Sequence, residues 1–136
     1  MVFAIASSIV AMQVGFRSLD LARGTTLASQ ILQSEIENVR LMAWEDIITL
    51  PATVDLIEEL KSRPAGEPLD YVETELVKRF QSVTRTVQPV PGAPDMREIV
   101  ITAVWTTRDG HLHTRSTATH YCRNGLNDFF ATDPTR

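Results

Sequence analysis

The chain has 136 residues, of which 43% are hydrophobic and 22% are charged, and its formal net charge is −4. This length supports one domain, and the acidic balance, with no Lys/Arg run longer than two residues, excludes a broad phosphate-binding surface. We therefore expect no nucleic-acid partner. Cys122 is the only cysteine, which excludes an internal disulfide.

The first sixteen residues, MVFAIASSIVAMQVGF, carry no charge. As a helix they measure roughly 24 Å, which is slightly short of the roughly 20 apolar residues that cross a bilayer core. No Lys or Arg precedes the run, although a secretory signal peptide begins with a positive segment. Three interpretations stay open: a signal peptide with an unusual start, a buried core helix, or a membrane helix that begins upstream of Met1.

Helical spacing continues into the charged segment that follows, as far as residue 48. Hydrophobic positions recur every three or four residues, at Leu32, Ile36, Val39, Ala43 and Ile47. Pro51 ends the predicted helix. A helix of about 48 residues is about 72 Å long, whereas a compact domain of this size has a radius of gyration near 14 Å. About half of the helix must project, and because that half is the most apolar, a bilayer or other copies of the chain must bury it.

Two glycines, Gly15 and Gly24, lie inside this helix, and each costs about 1 kcal/mol relative to alanine. They are either tolerated or mark close helix packing. Beyond Pro51, residues 53–61 predict a short helix with Thr53 as its N-cap, and residues 63–69 predict a loop. Alternating β-branched residues predict a strand at about 79–88, while residues 70–78 stay ambiguous between helix and strand.

The clearest local pattern is a hairpin over residues 97–121. Asp109-Gly110 predicts a two-residue turn, which places Trp105 opposite Thr114 and Ile99 opposite His120. One face of its first strand should cover the amphipathic helix, with the predicted contact set Leu32, Ile36, Val39, Ile99, Ile101 and Trp105. A long helix followed by antiparallel strands predicts an α+β fold.

Catalytic patterns are weak in this sequence. His111, His113, His120 and Cys122 are good zinc ligands by type, but a regular strand sends the two pairs to opposite faces, so a site would need a bulge or a partner chain. The carboxylate pairs lie one or two residues apart on helices and point in different directions. We find no P-loop, GxGxxG or HExxH motif. We therefore expect no enzyme activity, cofactor, metal or small-molecule substrate.

Three segments together resemble the type IV pilin-like family, which includes minor pilins and the pseudopilins of type II secretion. They are VFAIASSIVAMQVGF, LASQILQSEIENVRLMAW and the hairpin IVITAVWTTRDGHLHTRSTATHY. The resemblance implies a structural or assembly subunit held in the inner membrane by a single helix, with a periplasmic or extracellular head. Its partners would be other pilin or pseudopilin subunits, contacted through the N-terminal helix.

The resemblance divides the chain at residue 25. Residues 1–25 would form the membrane and filament-core half of the helix, and residues 26–136 the head. The predicted membrane and filament-core side chains are Val2, Phe3, Ile5, Ile9, Val10, Met12, Val14 and Phe16. The family's basic leader and its Gly, Phe and Glu motif do not precede Val2, so we expect the natural N-terminus to lie upstream. A membrane-anchored extracytoplasmic binding or sensory module that forms no filament is the alternative.

Overall fold

The computed structural model describes residues 2–63 and 71–125, with side chains at 9–63 and 73–125. Its helices and strands follow one another in this order: α1 (Val2–Arg40), α2 (Trp44–Thr49), β1 (Thr53–Asp55), α3 (Leu56–Lys61), α4 (Tyr71–Arg79), β2 (Phe80–Val90), β3 (Ala93–Thr106) and β4 (Leu112–Cys122). The four strands form one antiparallel sheet in the order β1-β2-β3-β4. A long N-terminal helix with an antiparallel sheet confirms the α+β prediction.

One core lies between α1 and the sheet. Strand β3, and β2 from Val83 onwards, turn odd-numbered residues towards it, as the two-residue repeat of a strand requires. Phe80 also faces the core, because the register of β2 shifts between Phe80 and Ser82. The second half of α1 supplies the opposite side at helical spacing. The buried apolar residues of these three elements are Ala28, Ile31, Leu32, Ile36, Val39, Phe80, Val83, Val87, Ile99, Ile101, Ala103 and Trp105.

Helix α1 ends at Arg40, eight residues before the end predicted from periodicity. Ala43 is extended (φ −75°, ψ 159°) and precedes the separate helix α2. The Tyr121 hydroxyl donates a hydrogen bond to the Met42 carbonyl, and the Tyr121 ring stacks on Trp44 with centroids 6.4 Å apart. These contacts turn the chain, while Ile47 still reaches the same core. The hydrophobic spacing therefore runs across the break and conceals it.

The predicted helix at 53–61 is also shorter than expected. Thr53–Asp55 pairs with β2 as an edge strand, with Thr53 opposite Thr86. Helix α3 begins at Leu56, and the Asp55 carboxylate accepts a hydrogen bond from the Ile57 N–H at 3.0 Å. Asp55, rather than Thr53, is the N-cap. The ambiguous segment at 70–78 is helical over its described part, residues 71–78, as helix α4, and β2 covers most of the predicted strand.

The predicted hairpin is present, but its register is wrong by one residue. Trp105 lies opposite His113 rather than Thr114, and Ile99 lies opposite Thr119 rather than His120. The loop has three residues, because the Thr107 N–H bonds to the His111 carbonyl at 3.0 Å. The Gly110 N–H bonds back to the Thr107 carbonyl, and Gly110 has φ +83°. This is a turn closed by a left-handed glycine, which adds one residue to the two-residue turn that Asp-Gly predicts.

Candidate functional site

The first half of α1 projects from the head, and the described chain meets it only near its end, where Asp20 contacts Arg79 and Arg108. Every residue from 9 to 19 is exposed. Seven of the ten large exposed hydrophobic side chains of the described residues lie between residues 9 and 21: Ile9, Val10, Met12, Val14, Phe16, Leu19 and Leu21. Their exposure runs from 40% to 69%. We call residues 9–23 the projecting segment.

The predicted membrane and filament-core side chains fall into two groups. Ile9, Val10, Met12, Val14 and Phe16 are all exposed on the projecting segment. Val2, Phe3 and Ile5 belong to α1, but their side chains lie outside the described residues. Among the described residues, no helix combines the length and the apolarity needed to cross a bilayer. The role of these side chains in a membrane or filament stays a prediction.

Helix α1 meets the head at Gly24. A Cβ added there would lie 2.3 Å from Nε1 of Trp105, far inside van der Waals contact. The absence of a side chain therefore lets the helix backbone approach the indole directly. Trp105 packs in turn on Phe80, with ring centroids 5.7 Å apart. Gly24 thus marks close packing, whereas a Cβ at Gly15 would meet nothing within 4 Å.

The predicted helix-to-head contact residues lie together in the core. Leu32, Ile36 and Val39 of α1 are each less than a tenth exposed, and so are Ile99, Ile101 and Trp105 of β3. All six belong to a single cluster of buried hydrophobic residues. The docked half of α1, residues 24–40, is therefore held by the apolar face of the sheet, and the projecting segment continues from it as one helix.

The histidines do not converge with Cys122. The described residues contain no group of three or more His, Cys, Asp or Glu side chains placed to hold a metal ion. His113 stacks on Trp105 with ring centroids 5.5 Å apart, and its Nε2 lies 3.3 Å from Oγ1 of Thr107. His113 thus covers the indole at the end of the sheet, which is a packing role.

A second feature is a cleft in the head of about 840 Å³ between α1, α3, α4 and β2. We call it the head cleft. Arg85, only 9% exposed, lines it from the core-facing side of β2, and its Nη1 lies 3.5 Å from the Glu35 carboxylate on α1. Burial raises the pKa of Glu35 above its ordinary value, and the positive charge of Arg85 acts in the opposite direction. The Arg85 Nε has no hydrogen-bond partner within the described part of the chain.

Arg85 was not among the site residues predicted from the sequence. In the predicted strand it occupies an odd position between Val83 and Val87, both of which face the core. This alternation places Arg85 on the buried face of the strand, which could have identified it as a candidate site residue. Charged residues are almost never fully buried unless paired, so a charge in this position could also have indicated an acidic partner on the facing helix.

Comparison of the chain with protein-family models, with curated proteins and with solved structures finds no match. The geometry of the described residues therefore has to indicate the function. Two regions are candidates for a functional surface: the projecting segment and the polar head cleft.

Proposed function

We propose that the chain is a structural or assembly subunit of the type IV pilin-like class, a minor pilin or a pseudopilin. One observation carries the proposal. Helix α1 runs without interruption from a segment with seven large exposed apolar side chains into a half that is buried against an antiparallel sheet. One element thus joins an attachment surface to a folded head.

The physical argument is the cost of leaving apolar surface in water. Burial of such surface is worth roughly 25 cal/mol per Å². Seven large apolar side chains exposed along one segment form the kind of patch that marks an interaction site. The segment is exposed on all sides, so a partner lying on one face would leave the other faces in water. A bilayer, or a ring of parallel copies of the same helix, covers a helix on all sides.

In the proposed role the segment lies first in a bilayer and then in a bundle of like helices. The segment lies in the inner membrane before assembly, with the head on the periplasmic or extracellular side, and then packs among the helices of other subunits. Small residues allow close approach of helices, and Ala11 and Gly15 lie on the segment. The role requires no catalysis, cofactor or substrate.

The test places a charge in the segment. Ile9→Lys and Ala11→Asp are expected to abolish membrane retention and assembly, because a charged side chain is costly in lipid and in an apolar helix bundle. The matched control is Ile48→Lys on α2. Ile48 is 48% exposed and Ile9 51% exposed, so both substitutions replace an equally exposed isoleucine. Normal membrane fractionation of Ile9→Lys would contradict the proposal, provided that circular dichroism shows a folded head.

The head cleft favours a second candidate, a membrane-anchored binding module that forms no filament. Its volume is within the range of ligand sites, and its lining sets charged and polar side chains, among them Glu35, Arg63 and Arg85, beside apolar ones. Disulfide cross-linking separates the two candidates. With Cys122→Ser as background, Val10→Cys should give covalent dimers and larger products in membranes if subunits pack through the segment. Monomeric Val10→Cys, still retained in the membrane, would favour the binding module.

A further inference from the structure

A second cleft, of about 470 Å³, lies where the projecting segment joins the head. We call it the neck cleft. Helix α1 contributes one wall, and the end of α4 and the β3–β4 turn contribute the others. Its charged lining residues are Arg17, Asp20, Arg23, Arg79, Arg108 and Asp109. Four arginines against two aspartates leave a formal charge of +2 here, although the whole chain carries −4.

The two aspartates of the neck cleft are already used by the protein. Asp20 accepts a hydrogen bond from the Arg108 backbone N–H at 2.9 Å and lies 3.8 Å from the Arg79 guanidinium. Asp109 accepts a hydrogen bond from the Thr107 hydroxyl at 2.6 Å, which lowers the pKa of that carboxyl. The contacts of Asp20 fix the turn against α1, and the Thr107–Asp109 hydrogen bond lies within the turn.

Three of the arginines, Arg17, Arg23 and Arg108, have no ion pair within 4 Å and no side-chain hydrogen bond across residues 9–63 and 73–125. Nearby Glu75 is already used by Arg79, whose hydrogen bond at 2.7 Å lowers the pKa of that carboxyl, with a smaller contribution from the charge of Arg23. Like charges gathered around one cleft repel each other, and an anion between them relieves that repulsion. The guanidinium group binds phosphate oxygens with paired N–H donors. The lining therefore matches a phosphate group.

We propose that the neck cleft binds the phosphate group of an anionic phospholipid and so seats the head on the membrane surface. The inference rests on the proposed function, because it takes the projecting segment to lie in lipid before assembly. It adds a contact for the head that the apolar segment alone does not provide.

The position of the cleft favours lipid over a protein partner. Phe16, the last residue of the uncharged run, lines it, and Arg17 follows directly. An apolar side chain and a guanidinium group thus lie within one helical turn of each other. A bilayer offers the same sequence of environments at the boundary between its acyl chains and its headgroups. A basic cluster next to an apolar segment gains affinity from anionic lipid in proportion to its charge. An acidic protein surface would not require the adjoining apolar wall.

The test is flotation of the full chain with two kinds of vesicle, one of phosphatidylcholine and one of phosphatidylcholine mixed equally with phosphatidylglycerol. The wild-type chain should bind both and should prefer the mixed vesicles. Arg17→Gln combined with Arg108→Gln should lower binding to mixed vesicles by roughly 30-fold, the combined effect of two surface arginines, and should leave binding to phosphatidylcholine unchanged. Both residues are exposed, so the fold should be retained.

The matched control combines Arg40→Gln with Arg115→Gln, which removes the same charge from exposed sites outside the neck cleft. It should keep most of the preference for mixed vesicles. An equal loss in the control, or no loss in the Arg17/Arg108 variant, would overturn the proposal. Binding of inorganic phosphate by the chain at constant ionic strength, without any preference of the chain for the mixed vesicles, would assign the cleft to free phosphate instead and would overturn the proposal too.

Two further outcomes complete the test. A wild-type chain that binds neither vesicle would contradict the proposed membrane residence itself, whereas equal binding to both vesicles would contradict only the neck cleft proposal. Self-association without vesicles that disappears in Arg17→Gln/Arg108→Gln would assign the cleft to an acidic surface of a second copy. That result would also overturn lipid binding.

Discussion

The two halves of helix α1 have the same secondary structure and opposite surroundings. In the docked half, Val39 is fully buried and Leu32 is 4% exposed, whereas Phe16 in the projecting segment is 69% exposed. The docked half has one apolar face and one polar face, and the sheet covers the apolar face. The projecting segment has exposed apolar residues on all sides, and the described chain meets it only at the neck cleft. Packing partners, rather than helix formation, therefore distinguish the two halves.

The largest expected difference comes from truncating a leucine in each half. Leu32→Ala should lower the free energy of unfolding by about 3 kcal/mol, because it opens a cavity in the core. Leu19→Ala should leave that free energy unchanged within about 0.5 kcal/mol, because Leu19 is exposed. Urea unfolding followed by the fluorescence of Trp44 and Trp105 measures both. Equal losses would show that the projecting segment is packed against the head.

The next effect concerns the ion pair that joins the docked half to the sheet. Arg85→Met should cost about 2 kcal/mol, because it leaves the partly buried Glu35 carboxylate without its cation. Glu35→Gln should cost at least as much, since it leaves the more deeply buried Arg85 guanidinium without its counter-charge, and an arginine cannot lose its proton. The same unfolding assay compares them at neutral pH. A clearly smaller loss for Glu35→Gln than for Arg85→Met would refute this ordering.

The burial of Glu35 also predicts that the free energy of unfolding depends on pH. Burial raises the folded-state pKa of Glu35 above its ordinary value of 4.5, so the folded state holds this proton more tightly than the unfolded state. The associated stability is complete below the unfolded pKa and is lost as pH rises through the folded pKa. Subtracting the unfolding profile of Glu35→Gln from that of the wild type should isolate this slope above pH 4.5. A difference profile of opposite sign would contradict the cause given for the shift.

A smaller effect is expected at the boundary between the two halves. Gly24→Ala forces a methyl group into the Trp105 indole, and we expect a loss of about 1.5 kcal/mol. Gly15→Ala has open space and should gain up to about 1 kcal/mol of local helix stability. Hydrogen exchange of the α1 amides reports both effects. Similar behaviour of the two variants would mean that α1 does not approach the indole at Gly24.

The smallest effect concerns the hairpin turn. Gly110 has φ +83°, where an alanine is strained by about 1 kcal/mol. Gly110→Ala should lower the thermal midpoint slightly, without altering helix content or vesicle binding. Differential scanning calorimetry measures the shift. An unchanged midpoint would argue against the left-handed conformation of Gly110.

Local patterns predicted much of this fold. Alternation identified the buried face of β3, and the length of the uninterrupted helical pattern predicted that part of α1 must project. Tertiary contacts that leave no local pattern account for the errors. Tyr121, 79 residues away from Met42 along the chain, helps to turn the chain after Arg40, and the short β1 strand depends on pairing with β2.

The candidate sites were only partly visible in the sequence. The absence of charge in residues 1–16 drew attention to the first part of the projecting segment, because it is a local property of consecutive residues. The neck cleft combines Arg17 with Arg79 and Arg108, which are far apart in sequence and meet only when the β3–β4 turn packs on α1. No spacing rule connects such residues, so this site required the structure.

The central claim is that lipid or other copies of the chain, and not its own head, cover the projecting segment. A polarity-sensitive fluorophore on Val10→Cys, in the Cys122→Ser background, tests it when combined with the molar mass of the full chain in solution. We predict a polar environment in any monomer, and an apolar environment only with vesicles or in oligomers. A monomer in plain buffer whose fluorophore already reports an apolar environment would contradict the account.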